Sequence, residues 1–213
     1  MFPEYNTVYI PQGYGKIRFS RVEITHILIG VAALTLAFTV YLYAGLASSL
    51  SLPVIVGVSA LVVLAGFLFH ELGHKFVAQR YGAWAEFRMY PLGLLLAVVM
   101  SFMGVLFAAP GAVYISGRVT KKQNGLISLA GPIVNLAIGG IFLAAWLVYP
   151  FGSTGLILNL VAIMSLFLGG FNLIPIPPLD GYKIAVWSIP VYVTMVALTG
   201  VSLLLVMGFI TIG

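Results

Sequence analysis

The sequence contains no cysteine, which excludes disulfides and thiolate chemistry and leaves the redox compartment open. It is also nearly without charge. Asp, Glu, Lys and Arg make up 7% of its 213 residues, against about 25% in an ordinary soluble domain. The shortage is concentrated: no charged residue lies between Glu23 and Glu71, between Arg88 and Arg118, between Lys122 and Asp180, or after Lys183. A helix needs about 20 apolar residues to cross a bilayer, so runs of this length exclude a water-soluble fold. No internal repeat or low-complexity tract is present, and no early apolar segment marks a signal peptide. Little chain is left for a separate soluble domain, so one membrane-embedded domain over 1–213 is expected. The net charge of +5 does not point to nucleic acid, because the basic residues flank apolar spans, where they set membrane orientation.

What is present is an all-α polytopic membrane protein in a lipid bilayer. Five apolar segments are long enough to cross, at about 25–46, 53–79, 125–148, 155–177 and 188–211. A sixth, about 92–108, is arbitrated by the positive-inside rule. Lys16, Arg18 and Arg21 place the start of the first span in the cytoplasm. Lys75, Arg80 and Arg88 then end the second span there, and Arg118, Lys121 and Lys122 start the third from the same side. The segment 92–117 therefore leaves and returns, and it is too short for two crossings at ~1.5 Å per residue. Five to six transmembrane helices are expected, with a re-entrant or small β-sheet segment between the second and third spans. The polar, aromatic N-terminus reads as short strands or an interfacial flap.

One of these spans runs straight into FLFHELGHKFVAQR, from Phe67 to Arg80. Ionisable groups inside a membrane are costly and are functional by default. His70 and His74 stand at i and i+4, on one helix face, and two imidazoles so placed can chelate one metal ion. Glu71 is turned about 100° away from His70, off the metal and toward a water molecule. This is the zincin pattern of two histidine ligands with a glutamate as general base. Zinc brings the pKa of water to about 7, and Glu71 would pass the proton to a leaving amine. The bland reading of the trio is a pair of membrane histidines bonded to carbonyls, with Glu71 paired to a base.

A third ligand is needed. His26 opens the first span and reads as an interfacial or hydrogen-bonding residue. Glu86, in AEFRMYP, lies near basic residues in an expected interfacial strand. Asp180, in FNLIPIPPLDGYKI, ends a long charge-free run. Pro175, Pro177 and Pro178 break the helix before it, and Gly181 offers backbone freedom after it. Depth favours Asp180, although taken alone such a segment reads more readily as a helix stop with a solvated turn.

HELGH near the end of one span, AGPIVN (Ala130 to Asn135) on a middle helix and NLIPIPPLDG (Asn172 to Gly181) at the end of a later span stand in one order. Together they resemble the site-2 protease family of intramembrane zinc metalloproteases, over roughly 53–183. PGAVYISG, Pro110 to Gly117, looks like that family's sheet-forming segment. The resemblance implies one zinc ion per chain held by His70, His74 and Asp180, with Glu71 as catalytic base. It implies that Asn172 and Asn135 contact substrate or support the site, and that the substrate is a transmembrane helix of another protein. It also implies a minimal prokaryotic member, since the chain has no room for the PDZ or CBS domains that others carry. An extended substrate would pair with an exposed strand edge, and the first and last helices are the expected gate.

The competing reading is a divalent metal transporter or metal sensor using His70, His74 and Asp180. A transit site needs access from both sides, and no polar trail crosses the charge-free spans. A different zincin would take Glu86 as third ligand. A proteolytically dead scaffold conflicts with an intact HELGH. The span directions place the active site near the cytoplasmic side of the cell membrane, where Lys75, Gln79, Arg80 and Lys183 cluster and a water path is expected to be shortest.

Overall fold

The computed structural model describes residues 16–47, 49–106 and 110–208. The N-terminal flap expected from sequence lies largely outside that range. Among the described residues, five helices are long and apolar enough to cross a membrane. The first, α1 (Arg21–Leu46), starts at Ser20, whose hydroxyl accepts the Glu23 N–H. The second crossing is one continuous helix over Leu52–Arg80. It consists of α2 (Leu52–Val63), a π-helical turn at Leu64–Leu68 and α3 (Phe69–Arg80).

The stretch after α3 makes an excursion and returns. Strand β1 (Trp84–Met89) leads into the short helix α4 (Pro91–Phe102), and β2 (Gly111–Ser116) comes back antiparallel to β1. Trp84 stands opposite Ser116 and Met89 opposite Gly111, so both ends of the excursion lie at one face. With 12 residues, α4 is about 18 Å long, short of the roughly 30 Å hydrocarbon core. The re-entrant reading of 92–117 thus stands, with a helix at its centre.

The third crossing, α5 (Lys121–Val148), begins with a Thr120–Gln123 capping box, which satisfies two helix-end donors reciprocally. It packs against α3 and against the three helices that follow it. These are α6 (Gly152–Asn172), α7 (Asp180–Trp187) and α8 (Ile189–Val206). Thus α6 stops at Asn172, earlier than the expected 177, because the proline-rich stretch cannot continue it.

The core is apolar on the inside: Leu34, Phe38, Ile55, Val62, Ala97 and Val161 tie α1, α2, α4 and α6 together. The outside is apolar as well. Leu28 and Leu36 of α1, Leu95 and Val99 of α4, and Val193 and Val201 of α8 are exposed. A surface of this kind fits hydrocarbon, where only helices with internally satisfied backbone are tolerated. The protein is an all-α polytopic membrane protein with one small antiparallel sheet among the described residues.

Two expectations are corrected. Gly181 does not supply unusual backbone angles. It lies in the first turn of α7 and is absent from the positive-φ glycines. A Cβ there would meet the Leu173 carbonyl oxygen at 2.0 Å, so the glycine is needed for close approach of α7 to the end of α6. Lys75 does not line a water path. Its ammonium is fully buried, 2.9 Å from the equally buried carboxylate of Glu23 on α1. It also donates to the Ala85 carbonyl of β1 at 2.8 Å.

Candidate active site

The i, i+4 spacing on α3 brings the imidazoles of His70 and His74 together, with their Nε2 atoms 3.0 Å apart. The proline-rich turn after α6 aims Asp180 at the same point. Its Oδ2 lies 3.3 Å from His70 Nε2 and 3.0 Å from His74 Nε2. All three residues are buried. The His74 Nδ1–H donates to the carbonyl of Ile127 on α5 at 2.7 Å. A carbonyl can only accept, so this bond fixes the tautomer and leaves the Nε2 lone pair facing Asp180. His70 Nδ1 has no partner among the described residues.

This donor set fits zinc. Two neutral imidazoles and a carboxylate are three lone-pair donors, and they converge from two elements far apart in sequence. Tetrahedral ligands at Zn–N about 2.0–2.1 Å stand about 3.4 Å from one another, close to the spacing here. Three protein ligands also leave the open position that a catalytic site requires. Burial raises the affinity of the Asp180 carboxyl for a proton, but against protonated imidazoles, whose charge and N–H bonds outweigh burial, it is held below the usual carboxylate range. Its place in the first turn of α7 adds the positive end of a helix dipole. Lys183 Nζ is 3.9 Å from its other oxygen.

Glu71 stands off this cluster. Its carboxylate accepts the backbone N–H of Val113 on β2 at 2.9 Å. Glu86, the rival third ligand, is engaged elsewhere, with Arg88 and the Ser20 hydroxyl. His26 joins no metal cluster among the described residues. Its Nδ1 is buried without a partner, so the hydrogen bond expected of it is absent there. Asn135 is fully buried between α5 and α6, and neither amide atom has a partner among the described residues. Asn172 closes α6, and its amide donates to the Leu168 carbonyl at 3.0 Å.

Four features of the site escape the sequence reading. Gly131 forms its wall, the Ile127 carbonyl sets a tautomer, Lys75 pairs with Glu23, and the Val113 N–H holds Glu71. Only the first has a local signal, a Gly-Pro step inside an apolar helix within AGPIVN.

Comparison with known proteins agrees with this geometry. The chain is 38% identical over 195 residues to a Methanocaldococcus jannaschii protein named "putative zinc metalloprotease", with 90% of this chain and 97% of that protein aligned. A second protein of that archaeon, named zinc metalloprotease, is 30% identical over 125 residues, 58% of this chain and 32% of its own length. A Bacillus subtilis "putative zinc metalloprotease" is 33% identical over 149 residues, 58% of this chain and 65% of its own length. No protein-family profile matches the chain. No solved structure matches it. A full-length relative at this identity, three convergent side chains that could hold a metal ion and five membrane-length helices among the described residues lead to one assignment: the chain belongs to the site-2 protease family and is a zinc metalloprotease of the membrane.

Proposed function

We propose that this metalloprotease is an intramembrane endopeptidase that hydrolyses peptide bonds within the transmembrane segments of other membrane proteins, as in regulated intramembrane proteolysis. The observation that carries the reading is the convergence of His70, His74 and Asp180 inside a bundle of membrane-length helices, beside the edge of a two-stranded sheet. In it, a single domain over 1–213, with its core at about 53–183, sits in the cell membrane. Lys16, Arg18 and Arg21 put the site end at the cytoplasmic face.

His70, His74 and Asp180 hold the ion, which when bound supplies Lewis acidity at neutral pH. Glu71 accepts a proton from the attacking water at a carboxylate oxygen and returns it to the nitrogen of the departing amine. The substrate helix must first unwind, because a helix hides its own peptide groups. The extended segment then adds to the outer edge of β2, where main-chain hydrogen bonds hold it irrespective of side chains. Asn172, the last residue of α6, offers its amide oxygen to the substrate, and Asn135, buried on α5, supports the site. Of the two helices expected to part for entry, α1 is tied to α3 through Glu23. This leaves α8, less buried than α1, as the more mobile side.

The test is cleavage of a reporter transmembrane protein by the purified chain in liposomes. Chelation abolishes cleavage and zinc restores it. Cleavage confined to soluble loops of the reporter would refute the intramembrane reading while leaving the metalloprotease in place.

A further inference from the structure

The sheet beside the zinc site has two outer edges, and the structure treats them differently. In the antiparallel ladder Phe87 stands opposite Val113, and the N–H groups of this pair point away from each other. The Phe87 N–H donates to Glu23 Oε1 at 2.9 Å, and the Val113 N–H donates to Glu71 Oε2 at 2.9 Å. On β1 the neighbouring acceptor is closed too: the Ala85 carbonyl receives Lys75 Nζ at 2.8 Å and Gln79 Nε2 at 3.0 Å. The Glu23–Lys75 pair behind these bonds is wholly buried, so this edge is sealed. A further strand can join only β2.

On β2 the outward N–H groups recur every second residue, at Gly111, Val113 and Ile115. Val113 makes the only side-chain bond from this edge among the described residues, and its partner is Glu71. From this we infer that Glu71 and the substrate compete for one donor, the Val113 N–H, so that addition of the substrate strand is the event that releases the catalytic base. The inference rests on the strand-addition reading above. A carboxylate oxygen held by a backbone N–H is turned toward the sheet. When a substrate carbonyl takes that N–H, one acceptor replaces another, and Glu71 is free to turn to the peptide bond. A peptide too short to pair along β2 leaves the base docked. The same bond that places a long substrate thus withholds hydrolysis from stray short ones.

The test replaces single N–H groups. Incorporating the α-hydroxy analogue of valine at position 113 converts its amide to an ester and deletes the N–H with the side chain kept. Val113→Pro is the encoded counterpart, tolerable because this N–H is not part of the β1–β2 ladder. An isoleucine-analogue ester at position 115 removes a neighbouring outward N–H that does not touch Glu71. Each protein is compared at equal bound zinc on a blocked tetrapeptide and on a transmembrane reporter. Loss of a charge-assisted bond at 113 raises tetrapeptide hydrolysis about tenfold and lowers reporter cleavage. The ester at 115 lowers reporter cleavage with no gain on the tetrapeptide. If the ester at 115 lowers reporter cleavage but neither change at 113 accelerates the tetrapeptide, the competition is overturned and strand addition stands. If neither ester lowers reporter cleavage, strand addition itself is refuted, and the competition with it.

Discussion

Gly131 of α5 lies directly against His74 Nε2, the nitrogen that faces His70 and Asp180. A Cβ at this position would come within 2.4 Å of His74 Nε2 and 2.7 Å of His70 Cε1. Contacts under about 3 Å force something to move, and the first thing here that could move is a ligand. Gly131→Ala therefore loses bound zinc at least about tenfold in affinity, the scale seen when the groups that orient metal ligands are disturbed. Gly140→Ala, on the same helix with none of the described residues within 4 Å of an added Cβ, keeps it. Metal analysis of the two purified variants decides. Equal zinc in both would show that the α3–α5 approach is looser than this geometry.

Glu71 touches no ligand atom of the metal cluster and faces β2 instead. Glu71→Gln is expected to bind about as much zinc as the unaltered chain and to lose cleavage by about 100-fold or more, the usual contribution of a general base. Zinc content and reporter cleavage are read on the same preparation. Full activity in this variant would remove Glu71 from the mechanism.

The carboxylate assignment separates two acids. Asp180 lies 3.0 Å from His74 Nε2, whereas Glu86 is held by Arg88 and Ser20. Asp180→Ala strips the metal and Glu86→Ala retains it, as measured by equilibrium dialysis with zinc. Loss of metal only in Glu86→Ala would overturn the site.

The buried pair of Lys75 and Glu23 joins α3 to α1, and each partner also holds β1. Removing one member of such a pair leaves an uncompensated buried charge, at a cost of about 3–5 kcal/mol. Lys75→Met and Glu23→Gln are each expected to destabilise the protein by about that much. The double variant should lose less than the sum, because no lone charge remains. Unfolding in mild detergent measures all three, and strict additivity would mean the two residues do not interact.

Much of this architecture is local and so is readable in one dimension. A bilayer demands long uncharged helices, and the gaps between Glu23 and Glu71 and between Lys122 and Asp180 delimit them without reference to any partner. The pairing of His70 with His74 follows from helical spacing alone, and Pro175, Pro177 and Pro178 end α6 for a reason confined to their own rings. The return of 92–117 to its starting face was legible because the basic residues at both ends report one side of a membrane. What lies across helices was not. Lys75 reads as a cytoplasmic cation next to a motif, and only its distance from Glu23, fifty-two residues away in sequence, makes it an internal strut. Gly181 reads as a source of backbone freedom, but the carbonyl of Leu173 makes it a contact surface. Gly131 walls the metal site, Ile127 sets the tautomer of His74 and Val113 restrains Glu71. Each of these roles depends on how closely two distant backbones approach. That closeness is set by the packing of the whole bundle and leaves no periodic trace in the chain.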